Sequence, residues 1–186
     1  MHLRFNIHIY IMRIKRIIAA ILATISIATI VPDSAFAIDH KGEKSVGIRG
    51  GYTSKNKSAT AGLYFQYSFN KSFRISPNLD YTFRHNGIDA YSINLNCHMP
   101  IALRSERIRA YPLAGLNYTS WNQINNADSY SSIDDSSTRT SRLGANMGAG
   151  IEYYATSTMK LALEAKYLLA KNYSSAIISL SIGYVF

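Results

Sequence analysis

The chain has 186 residues, 20 Lys+Arg against 11 Asp+Glu (formal net charge +9) and 47% hydrophobic residues, a length that fits one domain. Its lone cysteine, Cys97, excludes an internal disulfide, and no CxxC or HExxH spacing offers a metal site, so neither a metal nor another cofactor is expected. The basic residues are scattered rather than striped, which argues against nucleic acid as a partner.

The first element is a leader. "MRIKRIIAAILATISIATIVPDSAFA" sets Arg13, Lys15 and Arg16 before an apolar run from Ile17 to Val31 and closes on Ala35-Phe36-Ala37. A basic region, an apolar run and an A-x-A site make a secretory signal peptide. As a membrane anchor the run falls short of the ~20 residues a spanning helix needs. Residues 1–37 are expected to be a removable helical signal peptide, with Met12 as an alternative start, and 38–186 the mature domain. Without the leader 16 Lys+Arg face 10 Asp+Glu, a net charge of +6.

From there the pattern has period two almost throughout, the signature of half-buried strands. "SVGIRGGYTS" sets Val46, Ile48 and Tyr52 opposite Arg49. "ATAGLYFQYSF" sets Leu63, Phe65, Tyr67 and Phe69 opposite Tyr64 and Gln66. "FRISPNLDYTFR" sets Phe73, Ile75, Leu79, Tyr81 and Phe83 opposite Arg74, Asn78, Asp80 and Arg84. "AYSINLNCHM" sets Tyr91, Ile93, Leu95, Cys97 and Met99 opposite Asn94, Asn96 and His98. "RAYPLAGLNYTSW" has a less clear face, and "RLGANMGAGIEYY" alternates from Leu143 to Tyr153. "MKLALEAKYLL" sets Leu161, Leu163, Tyr167 and Leu169 opposite Lys160, Glu164 and Lys166. The terminal "AIISLSIGYVF" has Ile177 and Val185 as exceptions to its alternation. Turn residues separate these eight segments, and residues 122–139 read as one long polar loop. Eight strands joined by hairpins predict an all-β, antiparallel up-and-down barrel, which leaves no open edge; the chain is expected to be monomeric. Pro77 is expected to need a local bulge and Pro112 to sit near a strand start. "PIALRSER" is long for the turn between the fourth and fifth segments.

Three features decide which face points outward. The aromatics of the apolar face gather at strand ends. Tyr52, Tyr81, Phe83, Tyr91, Tyr118 and Tyr167 fall at one rim and Tyr67, Phe69, Phe73, Tyr153, Tyr184 and Phe186 at the other, with Phe65 between. Two aromatic girdles around an aliphatic band fit a lipid bilayer. The polar face carries Arg49, Asp80 and Glu164 at mid-strand, and an even strand number puts both termini on one side. The apolar face should therefore meet lipid, as in a transmembrane barrel of the bacterial outer membrane. Arg49, Asp80, Arg84, Glu152, Glu164 and Lys166 are the candidates for an ion-pair network that plugs the lumen.

"RAYPLAGLNYTSW", "RLGANMGAGIEYY" and "SLSIGYVF" resemble the small outer-membrane β-barrel family related to the N-terminal barrel of outer membrane protein A, over roughly 42–186. The resemblance implies that Ile178, Leu180, Ile182, Tyr184 and Phe186 form the signal read by the barrel-insertion machinery. The chain departs from the larger relatives by stopping at the barrel, so no peptidoglycan-binding domain is expected. A structural or surface-interaction barrel is expected, with loop 122–139 offered to a surface partner. A narrow porin-like channel is the alternative, and a lipid-modifying enzyme a more remote one. His85, beside Asn86 and Asp89, is the one histidine near the expected lipid head groups; His40 precedes the first strand and His98 faces the lumen. No serine spacing completes a nucleophilic site, so no enzymatic activity is expected. The glycines of "GANMGAG" lack a following helix and read as close approaches to interior side chains.

Overall fold

The computed structural model describes residues 41–85, 87–105, 107–124, 137–171 and 173–186. The expected leader, His40 and the centre of the expected polar loop lie outside the described residues. Among the described residues nine strands follow in order: β1 (Lys44–Thr53), β2 (Ser58–Asn70), β3 (Phe73–His85), β4 (Ile88–His98), β5 (Ile101–Ser105), β6 (Ile108–Ile124), β7 (Ser137–Tyr154), β8 (Met159–Ala170) and β9 (Ser175–Val185). Neighbours pair antiparallel, β4 pairs directly with β6, and β1 closes the sheet on β9 from Ser45↔Val185 to Thr53↔Ile177. Eight long strands thus form a closed barrel.

The ninth strand, β5, answers the question raised by "PIALRSER". Residues 101–105 fold back on the start of β6, with Ile101↔Ala110 and Ala102↔Arg109. Pro112 sits where the partner of β6 changes from β5 to β4, and its carbonyl accepts from Met99 N at 3.2 Å. It therefore lies inside the strand rather than near its start. Pro77 needs no bulge: the β2–β3 register is the same at Tyr64↔Asn78 and Tyr67↔Ile75, and only the ladder pairs between them are missing. The expected polar loop is shorter than 122–139, because β6 continues to Ile124 and β7 begins at Ser137. A strand wet on both faces has no apolar alternation to reveal it.

Alternation along the strands sorts the side chains. Val46, Ile48, Leu63, Leu79, Ile93, Leu163, Leu180 and Ile182 all point out of the barrel and are exposed. Aromatic pairs mark both rims: Tyr81 and Tyr91 at 4.8 Å between ring centroids toward one, Tyr67 and Phe69 at 4.9 Å toward the other. The polar face is buried inside.

The wall is uneven. β3 and β4 meet at His85↔Ile88, which the register carries level with Gln123 and Thr138. β8 stops pairing with β7 at Gly144↔Ala170, and β1 meets β2 last at Thr53↔Ser58. The β3, β4, β6 and β7 side therefore stands above the β8, β9, β1 and β2 side.

Candidate functional site in the barrel interior

Each strand contributes to the interior every second residue. At mid-height β1 supplies Arg49, β3 Asp80, and β8 Glu164 and Lys166. Arg49 Nε lies 3.3 Å from Asp80 Oδ1 and Nη2 lies 2.8 Å from Glu164 Oε1. The same Nη2 donates to Ser179 Oγ at 2.7 Å, and Lys166 Nζ lies 3.5 Å from Asp80 Oδ2. Two cations and two carboxylates thus neutralise one another away from water. That pairing is the condition for burying charge at tolerable cost.

A second group fills the inner half. Arg74 on β3 meets Glu152 on β7 at 2.6 Å between Nη2 and Oε2, with both side chains 1% exposed. Arg74 also donates from Nε to His98 Nδ1 at 3.2 Å and lies 4.9 Å over the Tyr111 ring. His98 stacks on that ring at 4.5 Å, and Tyr111 OH donates to Glu164 Oε2 at 3.3 Å, joining the two groups. Nearest the inner opening, Glu43 reaches in from just before β1. It pairs with Lys160 Nζ at 3.3 Å and accepts from Tyr154 OH at 2.9 Å.

Glycines make room for two of the large interior tyrosines, Tyr111 and Tyr64. A Cβ on Gly150 would fall within the Tyr111 ring, and one on Gly183 would strike the Tyr64 hydroxyl. Residues without a side chain at these two positions leave space for both rings.

A group of asparagines adjoins the charged clusters, and Asn94 Nδ2 donates to Asp80 Oδ2 at 3.1 Å. Asn94 Nδ2 donates to Asn78 at 2.7 Å, and Asn94 Oδ1 accepts from Asn117 at 2.7 Å and Asn146 at 2.8 Å. Above these groups a cavity of about 10 Å³, lined in part by Arg49, Asp80, Thr82, Asn117 and Ile177, is close to the lower limit for one water molecule. The outer mouth is closed by apolar packing. Trp121 and Tyr173 stack at 4.8 Å with 16° between planes, against Ala90, Leu168 and Ala170, with Ile88 and Ile177 alongside. Asn56 donates to the Tyr173 hydroxyl at 3.1 Å. Tyr173 lies in the β8–β9 turn, where burial pushes its hydroxyl pKa up.

Of the six residues expected in the network, Arg49, Asp80, Glu164 and Lys166 form one cluster. Glu152 lies in the inner group with Arg74. Arg84 stands apart at the rim, its side chain 54% exposed, bonded to Asp89 at 2.8 Å; a register shift between Thr82 and His85 accompanies its departure. Ile178, Leu180, Ile182, Tyr184 and Phe186 all face outward and are exposed, and Phe186 exchanges backbone bonds with Lys44 at 2.9 and 3.0 Å. His85 is exposed on the outer rim, while neighbouring Asp89 is already engaged by Arg84. Alternation marks Arg74 and Lys160 as members of the polar face, but Glu43 and Tyr173 lie outside the periodic segments, where no such signal exists. Among the described residues no group of three or more His, Cys, Asp or Glu could hold a metal.

A family model described as "Outer membrane protein beta-barrel domain" matches residues 21–186. No curated protein sequence matches the chain. Among solved structures, the N-terminal β-barrel domain of Pseudomonas aeruginosa OprF is similar at TM-score 0.62 and 19% identity, covering 78% of this chain and 98% of that one. A major outer membrane protein from Thermus thermophilus aligns at TM-score 0.61 and 10% identity, covering 77% and 99%. Ail, the attachment invasion locus protein of Yersinia pestis, aligns at 0.55 and 17%, covering 78% and 99%.

Proposed function

The chain belongs to the family of outer membrane protein β-barrel domains, and from that premise we propose that it is a closed, non-enzymatic barrel of the bacterial outer membrane that works as a structural and surface-interaction element rather than as a pore. The filled interior carries this reading. Paired charges occupy its inner and middle levels, and the Trp121–Tyr173 packing occupies its outer mouth. An eight-stranded barrel is only wide enough for side chains to fill, and these do. The tall β3, β4, β6 and β7 wall is what the protein offers beyond the membrane. Ail, to which the chain is similar in fold, is an attachment invasion locus protein by name, in keeping with such a role.

Reconstitution into planar bilayers tests the reading. The wild-type barrel is expected to show no stable conductance, and a large, steady single-channel current would instead favour a porin-like role. Release of products from outer-membrane lipids by the same preparation would overturn the non-enzymatic assignment.

The outward-facing Ile178, Leu180, Ile182, Tyr184 and Phe186 also serve, in this proposal, as the address for the barrel-insertion machinery. Deleting Phe186 is expected to lower outer-membrane levels and leave protein in the periplasm, measured by fractionation. Unchanged surface levels would remove that role.

A further inference from the structure

Around the interior cavity one carboxylate fixes the direction of a whole chain of hydrogen bonds. A carboxylate only accepts. Asn94 therefore turns Nδ2 toward Asp80 Oδ2, and its own Oδ1 accepts from Asn117 Nδ2 at 2.7 Å. Asn117 Oδ1 in turn accepts from Thr119 Oγ1 at 2.7 Å. The single hydroxyl hydrogen of Thr119 is spent there, so in the 2.9 Å contact between Ser92 and Thr119 it is Ser92 that donates. Every donor along Ser92, Thr119, Asn117 and Asn94 thus points toward Asp80. Ser92, at the head of the chain, lines the cavity with an oxygen whose own hydrogen is already used.

Lys166 has the opposite need. Its side chain is 1% exposed and lines the same cavity from β8. An ammonium has three N–H donors and no acceptor. Among the described residues they meet one acceptor, Asp80 Oδ2 at 3.5 Å, an oxygen that Asn94 already contacts. An ammonium with hydrogens to spare and a hydroxyl with lone pairs to spare therefore line one space of about 10 Å³, together with the hydroxyl-bearing Thr60 and Thr82.

We propose that this cavity is a binding site for one structural water molecule, which accepts from Lys166 Nζ and donates to Ser92 Oγ and to a threonine hydroxyl; the proposal rests on the closed lumen above and not on the surface role. Size and charge select the occupant. The volume is close to the lower limit for one water, and a buried water needs about two to four polar partners. Arg49 and Lys166 balance Asp80 and Glu164, so an ion of either sign brings an unpaired charge into the interior. A neutral molecule that both donates and accepts carries no such penalty. Bound there, it ties Ser92 and Thr119 on β4 and β6 to the charged residues of β1, β3 and β8. The Trp121–Tyr173 packing closes the mouth above it, so its exchange with bulk solvent requires that mouth to open.

The test is nuclear magnetic resonance of the refolded mature barrel in lipid nanodiscs, reading cross-relaxation with water at the Asn94 and Asn117 side-chain amides and at the amides of Ser92 and Lys166. The wild type is expected to show cross-peaks to a long-lived water. Trp121→Ala should shorten its residence time at least about tenfold, because exchange by local opening becomes easier; an unchanged residence time would overturn its place beneath the seal. Lys166→Met should abolish the cross-peaks. Ser92→Ala, which keeps every charge and so does not depend on the first variant folding, should weaken them. Cross-peaks that persist at full strength in Ser92→Ala overturn the site. A crystal grown in bromide with an anomalous peak beside Lys166 would assign the cavity to an anion and overturn it as well. A non-conducting barrel without the water cross-peaks removes the site alone; steady conductance with only rapidly exchanging water removes the closed lumen and the site together.

Discussion

The interior has two closures made in different ways. Its inner and middle levels are filled by charge, with Arg49 between Asp80 and Glu164 and Arg74 against Glu152. Its outer mouth is filled by Trp121 on Tyr173 and a few aliphatic neighbours. The first closure is directional and fails if one partner is lost, because an unpaired ion stays buried. The second is non-directional, and losing part of it costs only the packing removed.

Removing a charge should expose that difference most. Arg49→Ala leaves Lys166 as the one cation of the cluster against Asp80 and Glu164, and is expected to cost about 3–5 kcal/mol, read as a lower urea midpoint of the refolded barrel. Trp121→Ala is expected to cost about 3 kcal/mol, the low end for a large aromatic, since the residue sits at the mouth. Alone it should not conduct, because the charged levels below remain; combined with Arg49→Ala it should leak, measured as ion flux from vesicles. If Trp121→Ala conducts by itself, the charges are not a seal. Gly150→Ala sharpens the picture on the wall side. Its methyl group would intrude on Tyr111, which ties both charged groups together, for about 1–3 kcal/mol. Arg84→Ala is the smallest, below about 1 kcal/mol by the same unfolding assay, since its pair with Asp89 is half exposed.

These differences show where the sequence was readable. The period of two sorted Val46, Ile48, Leu79 and Leu180 from Arg49, Asp80 and Glu164, because alternation is a local property of a strand. Which interior charge meets which is not local. It depends on how far each strand slides along the next, and those offsets accumulate around the barrel. Arg74 thus finds Glu152 from across the barrel, and Arg84 leaves the interior after a register shift near the tip of β3. The Trp121–Tyr173 packing was illegible for another reason, since half of it comes from a turn. Ile177 and Val185, exceptions to the alternation of the last strand, are explained by their places. Ile177 faces inward beside the apolar mouth, and Val185 is buried at the inner end.

The β1–β9 seam has a consequence for how the barrel forms. Every other pairing of long strands joins neighbours along the chain or skips only the short β5, but Ser45↔Val185 joins residues at opposite ends of the described chain. Bringing them together restricts nearly the whole polypeptide at once, an entropic cost met only after the remaining hairpins have formed. The Arg49–Glu164 and Arg49–Ser179 bonds cross this same seam. The step that closes the cylinder is therefore also the step that completes its central charge cluster. A nearly finished barrel lacking only this seam would hold Arg49 and Asp80 on one side and Glu164, Lys166 and Ser179 on the other, so the network is incomplete until closure. Folding of the last strand should accordingly be cooperative, and opening of the seam rare.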